Sequence, residues 1–538
     1  MNRVVLYLCL LFGLLLSPVV MAADIDTGDA ELDRIFNVLY SGSFDDKAQA
    51  LRDFMQTPVE NKKAFLNGIV DKSLMVHKKT GRVVWVEEQD NKYQMTDAFN
   101  GEDLGLEKTR KLKKFSVNNQ LRSQITALIS VIDLDSPDAA IRLAAVNEML
   151  SNPAPEHSEL LQQRLATEPD KDVQQAMQLG ISLANLGHAD SAVRLEAIAA
   201  VSESLEPAVR NALSRIVTGD EDVKVRAAAE KVVERQQQRI KQFGYIETLF
   251  FGLSLGSVLV LAAIGLAITF GVMGVINMAH GELIMLGAYT TYLLQQAMPD
   301  SAGLALLISI PAAFIVSGLV GIGIERSVIR FLYGRPLETL LATFGISLVL
   351  QQLVRTAISP QNVPVSNPDW MSGFIQVNSV LSLTYNRLYI LGFCLVVFVL
   401  LSFVLKKTRL GLEVRAVSQN RSMARAMGIH SSRVDALTFG LGSGIAGVAG
   451  VALSQLTNVG PNLGQAYIVD SFMVVVFGGV GNLWGTLIGG MTLGVVNKFM
   501  EPWTGAVLAK ILVLVFIILF IQKRPRGLFP QKGRAAEG

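Results

Sequence analysis

The chain has 538 residues and only two cysteines, Cys9 and Cys394, each inside an apolar run. That inventory excludes a disulfide framework and a cysteine-ligated metal site. No GxxxxGK[ST] phosphate loop occurs anywhere, so the chain carries no nucleotide site of that type. Charge is scarce too: 17% of residues are charged, where a soluble chain carries about 25%. The scarcity is uneven, with 63 charged residues in 1–240 and 31 in 241–538. The first part is net acidic and the second net basic. Two differently solvated parts are joined, which excludes a single soluble domain and a disordered chain. The second part's basic residues lie between apolar runs rather than in one patch, which argues against a nucleic-acid binder.

Residues 1–22 have a basic start at Arg3, an apolar stretch from Val4 to Leu16, a break at Ser17-Pro18 and small residues at Ala22 and Ala23. This layout predicts a signal peptide, because the run is shorter than the ~20 residues a spanning helix needs. Residues 23–240 are then exported. From Asp29 to Asn67 apolar residues recur at helical spacing: Leu32, Ile35, Phe36, Leu39, then Ala48, Leu51, Phe54. Leu74–Val76 and Val83–Val86 flank Lys78-Lys79-Thr80-Gly81, which predicts a small antiparallel element within 23–119.

Residues 120–240 return to helical spacing and repeat themselves. Asp138-Ala-Ala-Ile-Arg142, Asp190-Ser-Ala-Val-Arg194 and Asp222-Val-Lys-Val-Arg226 each place an acid at a helix start and a basic residue one turn later. The pattern is similar to HEAT-like helical repeats, with an ordinary helical bundle as the alternative. No HExxH, CxxC or GxSxG occurs in residues 23–240, and His77, His157 and His188 are scattered, as solvated loop histidines would be. This region is expected to dock something rather than convert it.

From 241 to 530 nine apolar runs follow, at about 247–270, 281–297, 303–324, 338–356, 387–405, 434–455, 466–477, 483–498 and 506–521. They predict an all-α polytopic membrane protein of nine spans, or seven if two segments are re-entrant, the pair around Gly478–Gly481 being read as two spans or a re-entrant hairpin. Three connectors hold 15 of the 20 basic residues: Arg326–Arg335, Lys406–Arg433, and the tail from Lys523, which ends in 531–538. They are assigned to the cytoplasmic side. The loop 357–386 has one acid, Asp369, and no base, and faces outward. Glycines at 481, 485 and 489, and Gly442, Ala446 and Gly450, are spaced by four, as close helix packing requires.

Polar residues inside apolar runs are costly unless they face a cavity, a partner or the membrane surface. Asn277, His280, Glu282, Thr343, Ser347 and Gln351 are such residues. Thr343, Ser347 and Gln351 share one helix face. His280 and Glu282 are separated by about 200° around a helix, so at most two of Asn277, His280 and Glu282 face one path.

Residues 265–289, around Gly274-Val-Ile-Asn277-Met-Ala-His280-Gly-Glu282, resemble the branched-chain amino-acid and urea permeases of ATP-driven importers. Glu325–Leu348, Thr408–Ile429, Phe477–Gly485 and Arg524–Phe529 resemble further stretches of that family in order. The resemblance implies a transport permease of the inner membrane, not an enzyme. It implies ATPase partner subunits that use the ATP, a second homologous permease chain and an extracytoplasmic substrate-binding protein; the chain itself would bind no cofactor and no metal. It further implies that 406–433 is the ATPase coupling loop, carried by Gly411, Glu413, Arg415, Ala416, Arg421, Arg425, Met427 and Gly428. The exported extension is similar to the urea-importer permease and points to urea, with amino acids as the alternative. A membrane scaffold or sensor with exported binding repeats is a further alternative.

Overall fold

The computed structural model describes residues 25–89, 92–151 and 155–529. The expected signal peptide and the end of the tail lie outside the described residues. Two compact units are present, dividing at Gln236/Gln237.

The first unit opens with helices α1 (Ala30–Ser41), α2 (Phe44–Gln56) and α3 (Lys62–Asp71). Asp29 and Ser43 start the first two by accepting hydrogen bonds from backbone N–H groups of the first turn. Strands β1 (Leu74–His77), β2 (Val83–Gln89), β3 (Lys92–Asp97), β4 (Asp103–Glu107) and β5 (Leu112–Lys114) form one antiparallel sheet, ordered β4-β3-β2-β1-β5. The β1–β2 hairpin expected from the sequence is there, with Leu74 opposite Trp85. The remaining three strands exceed the small element expected. Tyr93 and Met95 of β3, Leu104 of β4 and Leu112 of β5 pack with Met75 and Val84 in one small cluster, so these strands carry only one or two core residues each, set between polar ones. Phe36, Phe54, Phe65, Phe99 and Phe115 form the core, with ring centroids 5.2–6.2 Å apart in the contacting pairs.

Helices α4 (Asn119–Asp133), α5 (Ala139–Ser151), α6 (Pro155–Leu165), α7 (Lys171–Asn185), α8 (Ser191–Ala200), α9 (Pro207–Gly219) and the start of α10 (Val223–Met273) follow. Leu121 and Ile125 of α4 join the first core rather than the second. The change of core therefore comes near residue 133, later than the 119/120 border expected. The three repeated arginines have matching surroundings. Arg142 Nη1 donates to the carbonyls of Ser136 and Pro137, and Arg194 Nη1 to those of His188 and Ala189. Arg226 does the same to Asp220 and Glu221. Arg142 also pairs with Glu168, and Arg194 with Asp220, each 26 residues on.

The second unit contains the rest of α10, then α11 (His280–Ala297), α12 (Ala302–Ser327) and α13 (Pro336–Ala357). A short hairpin of β6 (Phe374–Gln376) and β7 (Ser382–Thr384) precedes α14 (Tyr385–Lys407). Two short helices, α15 (Arg409–Gln419) and α16 (Arg421–Ala426), lead to α17 (Ser431–Ser454), α18 (Leu463–Gly478), α19 (Leu483–Thr504) and α20 (Ala506–Lys523). Six of these helices are long and apolar enough to cross a membrane: α10, α12, α13, α14, α17 and α20. The polar-to-apolar change near residue 240 falls inside α10, without a break in the helix.

Small residues let the central helices meet at backbone distance. A Cβ at Gly450 of α17 would lie 1.9 Å from the Ile284 carbonyl oxygen of α11, which no side chain tolerates. Gly485 and Gly489 likewise face α18, but Gly481 lies in the turn before α19 and does not share their helix stripe.

Candidate functional site

The polar seam begins where α10 stops. Gly274 takes a positive φ of 67° after Met273, and the chain runs non-helically to Ala279 before α11 starts. Asn277 holds this break, its Oδ1 accepting from the Ala279 N–H at 3.0 Å. His280 opens α11 and turns back to α10. Its Nε2 lies 2.8 Å from the Ala262 carbonyl oxygen. That oxygen only accepts, so Nε2 carries the proton.

Glu282 points the other way, toward α13. Its Oε1 accepts from Ser347 Oγ at 2.9 Å and from Gln351 Nε2 at 2.7 Å. One turn lower, Thr343 Oγ1 accepts from the Met278 N–H at 3.1 Å. All six polar residues singled out from the sequence are buried, none more than 4% exposed. The structure brings four of them to one seam, Glu282 with Ser347 and Gln351, and Thr343 through the Met278 N–H, with Asn277 buried next to Met278 in the loop. His280 braces α10 instead. Glu282 Oε2 and Asn277 Nδ2 are buried with no hydrogen-bond partner among the described residues, a costly state that a polar visitor would relieve.

Helix α13 is polar inward and apolar outward. Leu337, Leu341, Phe344 and Leu348 are exposed on its other side, as lipid contact requires. Thr339 and Arg355 extend the stripe at the same spacing of four. Thr339 is buried, donating to Leu332 and Arg335 carbonyls, and Arg355 Nη2 donates to Asn462 Oδ1 at 2.7 Å. Sequence reasoning stopped at three members, although counting by four in both directions reaches the other two.

The basic connector folds into α15 and α16, packed on the end of the bundle. Thr408 and Asn420 cap them through their side-chain oxygens. Val414, Val417 and Ala424 form the buried face, against Val434 of α17. Leu412, Met423 and Met427 form an exposed one, at 60%, 60% and 77%; Ala416 is half-buried. A Cβ at Gly411 would sit 2.0 Å from the Leu405 carbonyl oxygen, so only glycine lets α15 lie this close to α14. Glu413 pairs with Arg409 at 3.1 Å.

Three arginines of the connector fasten it to its own unit. Arg415 donates to the Leu405 carbonyl, Arg425 Nε donates to Ser431 Oγ at 2.9 Å, and Arg421 pairs with Asp435 of α17. Asp435 carried no sequence signal for this role.

His77 departs from the solvated loop residue expected. It ends β1, is nearly buried, and its Nδ1 lies 2.8 Å from Thr80 Oγ1. His188 Nδ1 accepts from the Asp190 N–H, and His157 lies in α6. Among the described residues no group of three His, Cys, Asp or Glu side chains is placed to hold a metal ion.

A helical unit with a buried polar seam, lipid-type outer faces and a folded basic connector defines a polytopic membrane permease class. The chain belongs to the family described as branched-chain amino acid transport system / permease component, which matches residues 248–521. It is similar to the high-affinity branched-chain amino acid transport system permease protein BraD of Pseudomonas aeruginosa, with 32% identity over 53% of this chain and 96% of the relative. The corresponding LivH protein of Escherichia coli K12 is 30% identical over 54% of this chain and 96% of its own length. The ribose import permease protein RbsC of E. coli K12 is 26% identical over 48% and 78%. No solved structure matches.

Proposed function

We propose that the chain is the membrane permease subunit of an ATP-driven importer for a small, polar nitrogen compound, working with separate ATPase subunits, a second permease chain and an extracytoplasmic binding protein. In this reading the six helices long and apolar enough to span cross the inner membrane, and α11, α18 and α19 complete the nine expected spans. The first unit faces the periplasm and the connector 406–433 faces the ATP. The observation that carries it is Glu282 of the buried α11 clasped by Ser347 and Gln351 of α13, a helix whose outer face is apolar. The seam is the solute path, closed in this conformation. Asn277 and Thr343 bound its lower end, and the exposed Leu412, Met423 and Met427 receive the ATPase.

An amino acid is the first reading of the cargo, supported by the names of the relatives. Its ammonium group suits Glu282, and Arg355, one turn beyond Gln351, suits its carboxylate. Urea is the second reading. It is favoured by the uncharged run Thr343, Ser347, Gln351 and by the extension before residue 248, which lies outside the family match. Uptake of labelled leucine and labelled urea, in cells with and without this chain, separates them. Loss of leucine uptake alone on deletion supports the first, and loss of urea uptake alone supports the second. Unchanged uptake of both rejects the importer for these solutes.

A further inference from the structure

A cavity of about 450 Å3 opens where α10, α14, α15 and the α18–α19 turn meet. No residue of the polar seam lines it. Its floor is apolar, with Ile268 and Val272 of α10. Its walls hold two cations, Lys406 and Arg415, and no Asp or Glu. Lys406 has no hydrogen bond or ion pair among the described residues, and Arg415 spends only Nη1, on the Leu405 carbonyl. Ser402 Oγ, also in the wall, is buried without a hydrogen-bond partner among the described residues. Trp484 completes the wall, half exposed and edge-on to Phe398 at 5.1 Å.

Each feature selects one property of a ligand. Two unopposed cations select an anion. The unpartnered hydroxyl selects a hydrogen-bonding head. The apolar floor rejects a free phosphate or carboxylate but accepts a hydrocarbon chain. A half-exposed tryptophan beside basic residues at the ends of apolar helices marks interfacial depth. We propose that this cavity holds one anionic phospholipid, its phosphate between Lys406 and Arg415 and an acyl chain against Ile268 and Val272. The lipid ties α15 to the bundle, so the connector is seated correctly only in a membrane that contains it.

The test is native mass spectrometry of the full chain from nanodiscs of equimolar phosphatidylglycerol and phosphatidylcholine. The protein should retain phosphatidylglycerol preferentially, by roughly tenfold or more for two cations at an anionic head. The K406Q/R415Q variant should lose that enrichment. Ser402→Phe keeps both cations, fills the cavity and should lose it as well. The R326Q/R433Q variant removes equal charge elsewhere and should keep it. Lys406→Gln alone alters one exposed side chain and should lower the enrichment where the double variant fails to assemble. Equal retention by K406Q/R415Q and wild type, or by Ser402→Phe and wild type, overturns the site. So does an equal loss in R326Q/R433Q, which assigns the lipids to diffuse surface charge. The readout does not depend on transport, so it stands apart from the importer assignment.

Discussion

Arg421 lies over the ring of Tyr333, its guanidinium carbon 4.0 Å from the ring centroid, while Asp435 holds the same guanidinium from α17. One side chain of α16 thus grips two other elements. Tyr333 sits three residues before α13, the helix that bears the polar stripe. In the proposed coupling, motion of α16 would be passed through this side chain both to α17 and to the start of α13. Arg421→Lys keeps the charge but loses the planar stack and the bidentate pairing. It should lower ATP-driven uptake about tenfold while ATP hydrolysis by the assembled importer falls much less. Parallel loss of both activities would assign Arg421 to assembly instead.

The Glu282 clasp should be felt in transport before it is felt in folding. Hydrogen bonds to a charged group are worth about 1.5–3 kcal/mol, or roughly 10- to 100-fold. Gln351→Leu removes one donor, and Ser347→Ala the other. Each should lower uptake by about tenfold or more at limiting solute, and Leu348→Ala, on the lipid-facing side, should not. Initial-rate uptake in vesicles at matched protein level checks this.

Gly428 closes the connector at a φ of 85°, with open space around its missing Cβ. The position is constrained by backbone geometry and not by crowding. An L-residue there costs about 1–2 kcal/mol unless it is Asn or Asp. Gly428→Asn should keep near-normal coupled uptake, and Gly428→Val should lose most of it. Gly428→Arg, a natural choice from the sequence for blocking a docking surface, also strains the turn. Met427→Asp probes docking more cleanly, since Met427 is 77% exposed; it should weaken ATPase co-purification and leave the membrane unit intact.

In the first unit, the Arg142 guanidinium hydrogen-bonded to Glu168 holds that carboxyl below its ordinary range. A depressed folded-state value means the pair contributes stability above the unfolded carboxylate pKa, and that this is lost as pH falls through the folded one. Glu168→Ala should lower the thermal midpoint of the first unit at pH 7. The gap from wild type should shrink as the pH is taken down through the acid range, as circular dichroism melts would show.

The parts legible from the sequence were those written in periodicity. The helices from 247 to 521 follow apolar runs. The stripe Thr343, Ser347, Gln351 follows a spacing of four, and the matching settings of Arg142, Arg194 and Arg226 follow a repeated pentapeptide. The missing parts were set by tertiary partners. Strands β3 to β5 are short and carry one or two core residues each, Tyr93 and Met95, Leu104, and Leu112, too few to mark a strand without their partners. Gly481 keeps the spacing of a helix stripe but sits in a turn, because spacing does not report φ. Arg421 reads as one more positive connector residue until Tyr333 and Asp435 are seen around it, from 88 residues before to 14 after.

The central claim is that the connector faces the ATP and receives work there. Met427→Cys, in chains whose Cys9 and Cys394 are replaced, gives a direct reading with a membrane-impermeant maleimide. Labelling should require access from the cytoplasmic side and should fall when the ATPase subunits are bound. Labelling of Met427→Cys from outside intact cells would contradict the account.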